Sequence, residues 1–388
     1  MAKKNENKKK NKNIKSISLK RFIIFILIIF LILFSIYISN NKFREFVDIN
    51  VLRKIVKEEK LKEIYDNVNS QNVFVSNKNI HILNQGEIKN YDKNGNLISS
   101  NILGIGNAIS DQKNEYMVIA EKNGKKVFLF EKGKLKWERE TDINIHNIFV
   151  NKNGHITLIG DSSMYTSIII VMDSNGDQYL KKYFSSKYAS KAQISQNNKY
   201  LVTTLIDYSK LQISSEIEII EIEKAKKDTS DAIINRYTKD ELIIDMEIQS
   251  NEEILIKCID AIYLADKKEM KKVYDLKEDT IFAGINISDG FATICEKKSN
   301  LFSQTYELKL FDKLGGNIGV LILEQNMPKH LHTNDTNVAI EMPQSILIAS
   351  DLGWLKKKYN SNKNFIDVKI SDGLAAIIYT DKVAIMPL

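Results

Sequence analysis

The run Phe22–Ile38, FIIFILIIFLILFSIYI, limits this chain more than any other feature. It contains no charge, no Gly and no Pro. As a helix rising about 1.5 Å per residue it is about 26 Å long, close to the hydrocarbon thickness of a bilayer. A cleaved signal peptide is the competing reading. The apolar region of such a peptide is usually shorter, about 7–15 residues, and leads into small residues at a cleavage site. Here the run leads into Ser39-Asn40-Asn41-Lys42, without an A-x-A-like pattern. Residues 22–38 are therefore expected to form an uncleaved transmembrane helix that contacts membrane lipid.

The flanks orient this helix. Residues 1–21 carry nine basic groups and the single acid Glu6, whereas the fifteen residues after Ile38 hold only Lys42, Arg44 and Arg53 as bases. Positive charge stays on the cytoplasmic side. The N-terminus is thus expected in the cytoplasm and the bulk of the chain outside it, in a single-pass signal-anchor arrangement at the cell membrane. The same tail accounts for the formal charge of +7. Nine of the 56 bases and one of the 49 acids lie in it, so residues 22–388 carry 47 bases against 48 acids, a net of −1. A nucleic-acid module places its bases on the folded domain, so no nucleic-acid partner is expected. Cys258 and Cys295 are too few for a disulfide scaffold or a Cys-based zinc site. Both lie in apolar strand-like runs and read as buried, reduced fillers; an inter-strand disulfide between them is the alternative.

The chain then divides by composition. Residues 1–21 are low-complexity Lys/Asn and read as a disordered tail. Residues 39–72 read as a short helical stalk. Within it 43–68 lack Gly and Pro, and Leu52, Ile55, Val56, Leu61, Ile64, Tyr65 and Val68 recur at three- and four-residue steps. A dimerising coiled coil would need more heptads than are present. From Val73 the period changes. Runs of four to seven apolar residues, such as Val127–Phe130, Ile168–Val171 and Leu374–Tyr379, alternate with polar turns and are rich in Ile, Val, Phe and Tyr. Residues 73–388 are expected to be all-β.

A weak repeat underlies these strands. Polar turns that close an apolar stretch fall near 110, 151, 195, 250, 288, 333 and 371. Their spacing, about 40–50 residues, is that of a four-stranded propeller blade. The one longer step fits an insertion at Glu223–Asp231, placed at a hairpin tip. A second marker sits inside the units: Asp92-Lys93-Asn94-Gly95, Asp173-Ser174-Asn175-Gly176 and Asp312-Lys313-Leu314-Gly315. Asp starts such a turn and Gly accepts positive φ, so these read as outer hairpins. Gly133–Trp137 and Asp351–Trp354 place an aromatic at a matching point in two units. Seven markers give a seven-bladed β-propeller. The last blade would be completed by strand material from 73–100, which would put both ends of the ring in one blade. Eight blades result instead if Val73–Ser100 is a complete blade.

This layout of basic tail, single anchor, stalk and irregular blades resembles membrane-anchored β-propeller-like proteins of Gram-positive bacteria, among them a family of undefined function. Gly133-Lys134-Leu135-Lys136-Trp137 is similar to the blade ends of quinoprotein-type propellers, although other units lack that Trp. No unit carries the Gly-His…Trp-Asp pattern of WD40 repeats.

Candidate sites are few. His330-Leu331-His332 puts two imidazoles on one strand face with Asp335 nearby, a partial transition-metal set whose third ligand the spacing does not fix. His81, His146 and His155 are isolated. Asp92–Asn96 and Asp173–Asp177 resemble calcium loops but miss the EF-hand register, and hairpin turns explain them. Gly104-Ile105-Gly106 is half a dinucleotide fingerprint without the helix that must follow it. The chain has no G-x-S-x-G, H-E-x-x-H or P-loop pattern. No catalytic, metal or cofactor residue is therefore assigned. The expectation is a membrane-anchored binding scaffold at the cell envelope with a protein or glycan partner. The alternative is an envelope hydrolase, lyase or dehydrogenase whose site assembles in the central depression.

Overall fold

The computed structural model describes residues 2–40, 43–44, 47, 51, 61–65, 69–76, 78–209, 213–229, 231–300, 303–323 and 326–388. The chain divides into two compact units, Met1–Lys57 and Glu58–Leu388. In the first, helix α1 runs over Ala2–Ser39. The tail expected to be disordered continues the apolar helix instead. It has no Gly or Pro to stop propagation once the apolar run supplies a nucleus. The apolar side chains from Phe22 to Phe34 are all exposed. This helix is the one among the described residues long and apolar enough to cross a membrane.

The second unit is an eight-bladed β-propeller, each blade a four-stranded antiparallel sheet. Blades 1 to 7 comprise residues 73–102, 108–140, 144–184, 187–239, 243–275, 280–322 and 330–360. Blade 8 takes three strands from 367–387 and its outermost strand from Lys62–Tyr65. That strand pairs Ile64 with Val383 and Glu63 with Ala384. Seven blades thus become eight, because Val73–Ile102 is a complete blade by itself. The ring does close with both of its ends in one blade, but the closing segment comes from the expected stalk. Lys62-Glu63-Ile64-Tyr65 fits a helix by composition, and the free edge of Pro387's strand recruits it as a strand. A short 3₁₀ turn, Ser70–Asn72, follows. The remainder of the expected stalk lies largely outside the described residues.

The core is distributed around the ring. Eight clusters of buried apolar residues occur among the described residues, one between each pair of adjacent blades. The cluster between blades 8 and 1 joins Ile64, Val383 and Ile385 to Val73, Ile80 and Ile82. Each blade is thus apolar on both faces, which explains the unbroken apolar runs of its middle strands.

The turn markers fall as expected. Asp173 accepts from the backbone N–H of Asn175 at 2.8 Å and of Asp177 at 3.0 Å, and Asp92 and Asp312 do the same in their own turns. All three turns join the third and outer strands of a blade. Gly176 has φ +83°, and a Cβ there would meet Trp137 Cε2 at 3.1 Å. The turn of blade 3 thereby docks on the outer strand of blade 2, and Trp137 Nε1 donates to Ser174 O at 3.0 Å. Trp354, next to its own turn, is 44 % exposed where Trp137 is 8 % exposed. The insertion after Glu221 is at a hairpin tip, as expected, and carries a one-turn helix, Ile222–Ala225. Cys258 and Cys295 are both free and buried. Burial pushes the Cys258 thiol up to about 12, so it is inert.

The central channel as candidate functional site

The first strand of each blade lines the axis. In a strand, residues two apart share a face. The pairs Asp111/Lys113, Lys191/Gln193 and Asp245/Glu247 therefore project together into the channel from blades 2, 4 and 5, where they line a cavity of about 510 Å³. Bulges aim two of them. The ladder of blade 4 shifts between Ala189 and Lys191, and that of blade 5 between Ile243 and Asp245. An extra residue at each point turns the following side chain inward.

These groups satisfy one another across the ring. Lys113 Nζ lies 2.8 Å from Glu247 and 3.0 Å from Asp335, joining blades 2, 5 and 7. Lys191 lies 2.7 Å from Asp245 and 3.6 Å from Glu247. Gln193 Nε2 donates to Glu247 at 2.8 Å. Burial opposes the charge on Lys113, but Glu247 and Asp335 more than restore it, and its ammonium is held above the ordinary range. Burial likewise opposes the charge on Glu247, yet Lys113 and Lys191 hold its carboxyl below the ordinary range. Asp111 differs. Burial pushes it up to about 6, against one hydrogen bond from the Val150 N–H at 2.8 Å and the more distant pull of Lys113 and Lys191. It is a carboxyl able to exchange a proton near neutral pH.

The expected site residues separate. Asp335 does not join the histidines; it accepts from Lys113, with Lys152 at 3.9 Å. His332 Nε2 instead lies 2.7 Å from Glu341. The carboxylates of Asp92 and Asp173 are occupied by turn amides, so the hairpin explanation of both loops holds. Gly104–Gly106 lies in the connection between blades 1 and 2. His81 is fully buried, 2.7 Å from the Ser76 hydroxyl, and burial lowers it to about 3, leaving it neutral. His155 contacts the Tyr179 hydroxyl at 3.0 Å, and His146 lies 3.0 Å from Asp161. The channel charges were not singled out in the sequence. A signal was available: charged or amide residues two apart, placed just ahead of a turn marker where the other strands are apolar.

Solved structures of similar shape show the same architecture. BamB from Moraxella catarrhalis matches with a TM-score of 0.51 at 10 % identity, covering 86 % of this chain and 100 % of its own. The C-terminal WD40 domain of Sif2 matches with a TM-score of 0.54 at 11 % identity, covering 84 % and 99 %. At such identities the likeness shows the propeller fold alone. No curated protein matches the sequence. A family description does match, over residues 51–388, which takes in all eight blades and their closing strand, and the chain accordingly belongs to the family of unknown function DUF5711.

Proposed function

We propose that this protein is a single-pass membrane protein whose propeller stands on the extracytoplasmic side and serves as a binding scaffold for an envelope protein or glycan. One observation carries the choice of scaffold over enzyme. The charged groups converging on the axis, Lys113, Lys191, Asp245, Glu247 and Asp335, are already paired with one another. A ligand in the channel would have to displace those pairs, whereas the loops on the two faces of a rigid ring are free to vary and recognise. The exposed apolar helix and the basic residues before it support the tether and its direction. Tethering raises the effective concentration of the ring for neighbours at the membrane.

The test is surface-restricted cross-linking on intact cells expressing the protein, followed by mass spectrometry. The expected result is a reproducible envelope partner linked through loops of one propeller face. Labelling that appears only after the cells are opened refutes the topology. A second reading, an enzyme working in the channel, has Asp111 in its favour as a proton-exchanging group. Turnover of an envelope substrate that is lost in Asp111→Asn would favour it over the scaffold.

A further inference from the structure

His330-Leu331-His332 finds its carboxylates on other strands. His330 stands opposite Glu341 in the ladder of blade 7, and His332 opposite Ala339. Both imidazoles and the Glu341 carboxylate therefore share one face of that hairpin. Asp367 opens the first strand of blade 8, the adjacent blade. One ligand atom each from His332, Glu341 and Asp367 lies within 4.8 Å of the other two.

Two acids here face one imidazole and one lysine. Glu341 is 1 % exposed, and the one side-chain partner of its carboxylate among the described residues is His332, at 2.7 Å. Asp367 has Lys369 at 2.8 Å. Asp367 Oδ1 also accepts from the Val368 N–H at 2.8 Å, so the two carboxylates converge on one imidazole with few other partners. An imidazole nitrogen with two carboxylate oxygens is a donor set for zinc and its first-row neighbours, bound at about 2.0–2.2 Å. His332 also lines a cavity of about 780 Å³ along the channel, together with Thr333 and Lys369. That cavity gives an ion a way in and a water a place to complete its coordination.

We propose that His332, Glu341 and Asp367 form a binding site for a divalent transition-metal cation of the zinc class at the seam between blades 7 and 8, with its remaining position open to the channel. The ion draws together two strands of blade 7 and the first strand of blade 8, so it ties one seam of the ring as well as offering a Lewis-acidic position.

The experiment is calorimetric titration of ZnCl₂ into the full-length protein in detergent micelles after chelator treatment. One saturable equivalent per chain is expected. His332→Ala and Asp367→Asn should each weaken it at least about tenfold, whereas His146→Ala, on another blade, should leave it unchanged. Asp367→Asn keeps the His332–Glu341 contact and the fold, so its loss of binding is not a loss of structure. Zn²⁺ should raise the melting temperature of the unsubstituted protein and not that of Asp367→Asn. Absence of saturable binding, or equal affinity in all four proteins, overturns the site.

Discussion

Replacing Ile64 by Ala tests how the ring closes. Of the four residues in the closing strand, Ile64 is the one that is buried, at 5 % exposure. It packs in the cluster that joins blade 8 to blade 1, with Val383, Ile385 and Val73. The rest of the strand's hold is a short ladder to Lys382–Pro387 and the Glu63–Lys382 ion pair. Truncating a buried Ile to Ala costs about 2–5 kcal/mol. An outermost strand can shift to fill part of the space, so about 2–3 kcal/mol is expected. Tyr65, 71 % exposed in the same strand, is the control, and its change to Ala should cost less than about 0.5 kcal/mol. Urea unfolding of the full-length protein in detergent should show a lower midpoint for Ile64→Ala at unchanged slope. Amides of Lys382, Val383, Ala384 and Ile385, the residues the closing strand pairs with, should exchange faster with deuterium than in the Tyr65→Ala control. If Ile64→Ala is as benign as Tyr65→Ala, the strand does not hold the seam and the eight-bladed closure is wrong.

Three further outcomes follow from the same structure. Gly176→Val forces a β-branched residue to φ +83° and against Trp137, so about 2–4 kcal/mol should be lost; a red shift in the Trp137 emission would accompany it, and an unchanged melting point would remove the docking of that turn. Asp111 has a folded-state pKa raised from 3.8 to about 6, so between those values the folded protein keeps a proton that the unfolded chain has released, and stability falls as pH rises through that window. The full linkage is about 3 kcal/mol and channel water reduces it to about 1–2; Asp111→Asn should therefore raise the melting temperature at pH 7.5 and much less near pH 4, and a gain independent of pH would refute the assignment. Phe30→Arg places a charge at the middle of the apolar helix at a cost of about 2.5–3.5 kcal/mol on insertion scales; loss of the protein from the membrane fraction is expected, and unchanged fractionation would contradict the anchor.

The architecture was legible in the sequence where local chemistry alone decides the structure. An apolar run makes a helix, Ile- and Val-rich runs make strands, and Asp-x-x-Gly makes a turn whose amides need a carboxylate. The marker near 110 fell inside a strand by three residues because Ser110-Asp111 resembles a turn opening, yet it still counted the right blade. None of the seven markers falls in blade 1, so they alone leave seven blades and eight both open, and the complete four-stranded sheet over Val73–Ile102 decides for eight. The closing strand was missed outright. Lys62–Tyr65 favours a helix by composition, and only the unpaired edge offered by residues 382–387, some 320 positions away, overrides that preference. The channel network was invisible for the same reason. Lys113 and Asp335 are 222 residues apart, and Lys191 and Asp245 are 54 apart. No spacing rule spans such distances, whereas the ring topology brings them within 3.0 Å.

The division of labour between seams and axis bears on what the ring does. Eight apolar seams carry the folding energy, because burial of Ile, Val and Leu is favourable at every one of them. The axial ion pairs add little to that total. Desolvating Lys113 and Glu247 consumes much of what their attraction returns, and an apolar plug of the same size would serve stability as well. The bulges beside Lys191 and Asp245 nonetheless turn charge inward. The pairs link blades 2, 4, 5 and 7 across the axis. A ring tied across its axis holds its loops at fixed spacing on both faces if those pairs persist in solution. On the proposed scaffold reading, such fixed spacing would serve recognition of a large partner.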